Sequence, residues 1–347
     1  MTGSTRRMHT GSDRRFGFTL IELLVVIAII ALLVSILLPA LAKSRKFAKI
    51  VLCNNQQRQM SIAQLTYSTD FKDALSAFSW LYGKWGPEAA QAGIPFNPTA
   101  NDLEAASAQA VAWMRLFSAP RNTAIPVPGG WVPHIRYSHI PLYHYLAKRL
   151  PEPGLVCPED YRQIGYINNP SVPAAIGGVH QVYASSYNFT PAFYTPDKET
   201  PDGGRFRQGS SHRIFDFFPG SGPTANQLYK VGRRRSFEVK NPSQKVWIFD
   251  EYDRHTQKVD TYFTHYRAQP TVIMADGSTR TIRSHEANLG GYTTSAGFQT
   301  ANAAISYAPN EFPLVPWPDT SNMVQDGRFR WTLGGLKGRD VGGARGF

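Results

Sequence analysis

An α+β fold is expected, a long N-terminal helix packed on an antiparallel β-rich domain, and three observations lead there. Phe18 to Leu41 is an apolar run of 24 residues in which Glu22 is the single charge. Ala42 to Phe71 contains neither Gly nor Pro, so nothing local stops a helix from continuing through it. Beyond about Asp73 the texture changes to short apolar runs separated by Pro and Gly, the pattern of strands joined by long connections.

These observations divide the chain into a basic leader (1–17), a transmembrane or assembly helix (18–42), an amphipathic continuation (43–72), an exported β-rich domain (73–325) and a C-terminal tail (326–347). The chain has 347 residues, enough after the N-terminal segment for one large unit with a buried core. No second run of 18 apolar residues follows the first. The formal charge is +12; residues 1–17 supply four of the 37 basic and one of the 25 acidic side chains, leaving +9 spread along the rest. The densest basic run is Arg233-Arg234-Arg235 beside Lys230. No nucleic-acid motif surrounds it, so it is read as a solvated loop, and no nucleic-acid partner is expected. The two cysteines, Cys53 and Cys157, are an even count. In an oxidising compartment they are expected to bridge, closing a loop of about 100 residues for roughly 4–5 kcal/mol.

A helix over Phe18–Leu41, at about 1.5 Å per residue, spans the roughly 30 Å hydrocarbon layer. Arg6, Arg7, Arg14 and Arg15 precede it, which places the leader in the cytoplasm and the bulk of the chain outside. Three fates compete. A secretory signal would be cut at Ala40-Leu41-Ala42 and leave Lys43 first, but the apolar core is longer than the usual 7–15 residues. A plain uncleaved anchor accounts for length and orientation and leaves Glu22 without a purpose. The third fate accounts for the acid as well. Gly17-Phe18-Thr19-Leu20-Ile21-Glu22 resembles the processing site of type IV prepilins and of the pseudopilins of type II secretion. The resemblance implies that a membrane-embedded peptidase cuts after Gly17 and methylates the new amino terminus of Phe18. It also implies that Glu22 pairs with the amine of a neighbouring subunit during assembly. A carboxylate inside a bilayer is costly and functional by default, which suits that role. Pro39 stands where pilin helices commonly carry a proline and is expected to kink the helix. In the continuation, Phe47, Ile50, Val51, Met60 and Leu65 suggest an apolar stripe.

In the exported domain, "NDLEAASAQAVAWMRLFSA" has helical composition. Strands are expected at 181–187, 245–250, 261–266, 271–275 and 278–282. Asp276-Gly277 signals a two-residue type I′ hairpin turn between the last two. A tail strand is expected at 328–333, fraying beyond it. Cys53 with "NNQQRQMSIAQLTYSTD", Cys157-Pro158, Ser186-Tyr187-Asn188, "PSQKVWIFDEY", and His265 with Asp276-Gly277 follow the order of a pseudopilin-like family of planctomycete and verrucomicrobial bacteria. That family carries a C-terminal His, nine residues, then Asp-Gly. Here ten residues separate His265 from Asp276, so a bulge or longer turn is expected between them.

No nucleophile elbow, HExxH, P-loop or dinucleotide fingerprint is present, and no enzyme activity or cofactor is expected. His134, His139 and His144 recur every five residues, a spacing that keeps them on one face of neither helix nor strand, and they are read as isolated surface or half-buried side chains. Asp250, Glu251, Asp253 and His255 form the densest acidic cluster. Asp250, Asp253 and Asp276 are the candidate calcium ligands, because that ion takes hard oxygen donors. The expected function is a pilin-like or pseudopilin-like structural subunit of a type II secretion or type IV pilus-like system. Prepilin peptidase, other pilin-like subunits and the inner membrane are its partners, and the C-terminal domain lies in the periplasm or on the cell surface. The alternative is a membrane-anchored periplasmic binding module that does not polymerise.

Overall fold

The computed structural model describes residues 19–81, 83–97, 102–128, 131, 133–169, 175–176, 179–194, 197–199, 206–208, 234–256, 259–288, 292–293, 325–326, 328–330, 332 and 335–342. The chain falls into two compact units, 1–48 and 49–347.

Helix α1 runs without interruption over Leu20–Asp70, with Pro39 inside it. Every residue from Thr19 to Ala48 is exposed in the isolated chain, although 20–38 are almost wholly Leu, Ile, Val and Ala. Such a face has no counterpart in a water-soluble surface, and this part of α1 is long and apolar enough to cross a bilayer. The helix ends in a Schellman-type turn. Lys72 (φ 53°) and Asp73 (φ 64°) adopt left-handed conformations, and the Asp73 N–H donates to the Ser68 carbonyl at 2.8 Å.

In the second unit the buried face of α1 is Cys53, Gln57, Met60, Ser61, Ala63, Gln64 and Ser68, a helical spacing with largely polar members. Of the apolar stripe expected there, only Met60 is buried; Phe47, Val51 and Leu65 are at least half exposed. Polar residues can occupy the stripe because most find partners. Gln64 donates to Ser68 Oγ (2.8 Å) and accepts from the Ser76 N–H (3.0 Å), and Ser68 Oγ donates to the Ala74 carbonyl (2.9 Å).

The unit's main sheet has four antiparallel strands, β1 (Tyr187–Phe189), β2 (Val246–Asp250) and the hairpin pair β5 (Thr271–Met274) and β6 (Thr279–Thr281), in the order β6-β5-β2-β1. A separate two-stranded ladder pairs β3 (Tyr252–Asp253) with β4 (Thr261–Tyr262). A register shift between Val246 and Ile248 leaves Trp247 as a bulge. The bulge explains the core assignment. Trp247 and Ile248 both join the cluster that contains Cys53, Met60 and Tyr187, while Val246 and Phe249 join the cluster with Phe263 and Phe329. Helix α2 (Asp102–Phe117) builds a third cluster from small residues, Ala105, Ala106, Ala108, Ala110 and Ala112, against Phe78, Ile125 and Tyr137. Asp102 and Glu104 in its first turn and Arg115 in its last complement the helix dipole. Helix α3 (Tyr161–Asn168) is capped by Asp160, whose side chain accepts from the Gln163 N–H at 3.0 Å.

Several expectations are corrected. Residues 181–183 form a 3₁₀ turn, and pairing begins only at Tyr187. The strand expected over 261–266 stops at Tyr262, where the chain turns through 263–267 to bring Phe263 into the core. The β5–β6 hairpin has a three-residue loop. Met274 pairs with Ser278 through the Met274 N–H to Ser278 carbonyl bond (2.8 Å), and Gly277, not Asp276, takes positive φ (86°). The tail is docked. Residues 328–330 form a turn with Phe329 fully buried, Leu336 is fully buried, and Asp340 forms a buried ion pair with Lys245 at 3.3 Å. His134 and His139 are buried, and only His144 is exposed. His134 stacks on Tyr194 (4.6 Å) and meets Phe78 edge-on (5.0 Å), because a neutral imidazole packs as an aromatic ring.

Candidate functional site

Thr19 and Glu22 close the entrance of α1. The Thr19 N–H and Oγ1 each donate to Glu22 Oε2 at 2.8 Å, and the Glu22 N–H donates to Thr19 Oγ1 at 3.2 Å. This is a reciprocal capping box, Thr-x-x-Glu, which satisfies donors that the first turn leaves open. The carboxylate therefore has partners within its own chain, and Thr-x-x-Glu ahead of an apolar run is the sequence signal for them. Gly17 and Phe18 lie outside the described residues.

The second constellation lies where α1 enters its packed stripe. Cys53 Sγ is 2.9 Å from Cys157 Sγ, and His255 Nε2 lies 3.1 Å from the first sulfur and 3.3 Å from the second. All three residues are buried, and the cysteines are free thiols. Cys157 is held by its own backbone: its N–H donates to Ser186 Oγ (3.1 Å) and its carbonyl accepts from the Asp160 N–H (2.8 Å). Burial pushes the Cys157 thiol far up, with its contact to Cys53 adding to the rise and His255 opposing it. Among the described residues this is the group of His, Cys, Asp and Glu ligand atoms that converges closely enough to hold a metal ion.

The candidate calcium ligands do not join it. Asp250 is buried against Arg254, which also pairs with Asp160 at 3.1 Å and lies over the Tyr252 ring. Burial raises the Asp160 carboxyl, but Arg254, the Gln163 N–H and Ser186 outweigh it and hold it below the usual carboxylate range. Asp253 accepts from the Thr256 N–H (2.9 Å) and the Gln269 N–H (2.8 Å). Asp276 is exposed and accepts from the Ser278 N–H (2.9 Å) and Oγ (2.7 Å). His265 sits in the turn after β4, its Nδ1 accepting from the Arg267 N–H at 3.3 Å. Gly277 instead meets α1. Ser61 Oγ donates to its carbonyl at 3.2 Å, and a Cβ there would lie 2.7 Å from that oxygen.

A cleft of about 300 Å³ opens beside the Arg254 cluster, lined by Arg136, Tyr161, Arg162, Tyr166, Tyr252 and Asp260 among others.

Residues 12–38 match the family model described as the prokaryotic N-terminal methylation motif. No curated protein and no solved structure matches the chain. The chain therefore carries a type IV pilin-like N-terminus, the kind that prepilin peptidase processes, on an α+β body.

Proposed function

We propose that this chain is a pilin-like or pseudopilin-like structural subunit, cut after Gly17 and methylated at Phe18, then assembled with other such subunits through α1 by a type II secretion or type IV pilus-like machine. The observation that carries the reading is the methylation motif over residues 12–38 leading directly into a membrane-length helix. In this reading the basic leader stays in the cytoplasm, α1 crosses the inner membrane, and the C-terminal unit lies in the periplasm or on the surface. Hydrolysis of the Gly17–Phe18 bond creates an amine four residues before Glu22. On assembly Glu22 exchanges its Thr19 contacts for the amine of a neighbouring subunit, and that pair fixes the register. The work is mechanical and no catalytic step is assigned to the chain.

The mass of the mature N-terminal peptide tests this. A peptide beginning with N-methylated Phe18 is expected; one beginning at Lys43 or at the unprocessed start overturns the reading. Two substitutions then separate charge from capping. Glu22→Gln retains a capping-box side chain and removes the charge, so it should block incorporation into a fibre as fully as Glu22→Ala while leaving cleavage intact. Normal assembly of Glu22→Gln would sink the ion-pair role.

A second reading, a membrane-anchored binding module that does not polymerise, draws on the cleft lined by Tyr161, Tyr166 and Tyr252 beside Arg136, Arg162 and Arg254. It expects capture of a polysaccharide or protein that persists in Glu22→Ala.

A further inference from the structure

The thiol pair belongs to no step of processing or assembly, yet three soft donor atoms converge in a dry pocket. Two arrangements suit them: a thiophilic metal ion held by two thiolates and an imidazole, or a bond between the sulfurs. The two sulfurs already lie 2.9 Å apart in a buried site, and a disulfide between them carries no charge into the pocket. A ligating imidazole almost always anchors its second nitrogen by a hydrogen bond. His255 Nδ1 is buried and has no hydrogen-bond partner among the described residues. No fourth ligand converges among the described residues.

The surroundings show what such a bond would hold. Lys49 and Cys53 are one turn apart on the same face of α1. Lys49 Nζ lies 3.1 Å from the Glu159 carboxylate and donates to Tyr161 Oη at 3.2 Å, while Cys53 meets Cys157. Both therefore grip the 157–161 segment. That segment is in turn tied to the start of β1, because Ser186 Oγ donates to Asp160 Oδ2 at 2.7 Å and the Ser186 N–H donates to the Leu155 carbonyl at 3.1 Å.

We propose that Cys53 and Cys157 are joined in the exported protein by a disulfide that forms a covalent joint between the Lys49–Asp70 part of α1 and the Cys157–Tyr161 segment. The inference takes only the oxidising compartment from the proposed function. The oxidant is a protein disulfide of that compartment. One cysteine thiolate attacks it and releases one of its sulfurs as a thiol. The second cysteine sulfur then displaces the remaining one, so two protons leave the pair and the oxidant departs as a dithiol. Both sulfurs are covered in the folded unit, which places this exchange before α1 docks.

The test uses the full-length chain from membranes, isolated without reductant and alkylated under denaturing conditions. The peptides bearing Cys53 and Cys157 should appear as one linked species, lighter than their sum by two hydrogens, with alkylation of both only after reduction. Reducing the intact protein, or the Cys53→Ser/Cys157→Ser variant, should speed amide exchange in 49–60 and 157–161 by about tenfold or more while the four-stranded sheet stays protected. Two alkylatable thiols before reduction overturn the bond, and stoichiometric zinc or copper alongside them reassigns the three atoms as a metal site. A bond whose reduction leaves exchange unchanged overturns the joint. A linked pair on a chain with an unprocessed start would remove the proposed function and leave this inference standing; free thiols on a chain beginning at methylated Phe18 would do the reverse.

Discussion

His134 shows how a titratable residue becomes a core residue. Burial drives its imidazole down to about 3, and that of His139 likewise to about 3. Above pH 6.5 both are neutral whether the chain is folded or not. Below that value the unfolded chain takes up protons that the folded chain refuses, so stability is lost progressively between pH 6.5 and about 3, on the order of a few kcal/mol per imidazole. The thermal midpoint should fall through that window. Neither His134 nitrogen has a hydrogen-bond partner among the described residues, so His134→Phe should fold at pH 7 as well as the parent and flatten the acid limb of its stability profile. An unchanged limb would show that the ring is not the group being titrated. The sequence alone gave no access to this. A five-residue spacing excludes a shared face, but it does not say which single position is enclosed. Thr19 is the opposite case, since Thr-x-x-Glu ahead of an apolar run was legible in the letters.

At the scale of elements, the hairpin tip meets α1 directly. Gly277 combines positive φ with a carbonyl bonded to Ser61, so Gly277→Ala meets both backbone strain and a clash with Ser61 Oγ. The expected loss is about 1–3 kcal/mol in urea unfolding. Pairing it with Ser61→Ala, which removes the obstructing oxygen, should recover part of that loss; no recovery would mean that strain alone matters. Asp276-Gly277 signalled the hairpin correctly in the sequence, but the loop has three residues because the turn is completed by a left-handed Gly after Asp276. The helical continuation was legible from the absence of Gly and Pro, and its buried face was not. Gln57, Ser61, Gln64 and Ser68 keep a helical spacing that a search for apolar side chains passes over. The bulge at Trp247 is hidden for a similar reason, since the apolar run Val246–Phe249 reads the same in either register.

Across the whole molecule, the structure departs most from the sequence reading at the C-terminal end. Phe329 and Leu336 join the core, and Lys245 is fully buried with Asp340 as its counter-ion and Thr332 close by. Contacts of this kind link positions about a hundred residues apart and leave no local trace in composition. Removing one charge strands the other: Lys245→Met should cost about 3–5 kcal/mol, whereas Lys245→Met with Asp340→Leu should cost far less. Equal losses in single and double variants would show that packing, not charge, dominates there. Cys53, Cys157 and His255 are the same lesson at the candidate site, since the sequence offered an even count of cysteines and put the histidine among acids.

The self-contained cap at the start of α1 bears on supply. Because Thr19 already serves the Glu22 carboxylate, a lone subunit does not hold an orphaned acid that would press it either to aggregate or to be expelled from lipid. Under the proposed function, subunits can then accumulate as a standing reserve in the bilayer, and the pace of fibre growth falls to whatever extracts them and trades that internal partner for an external one.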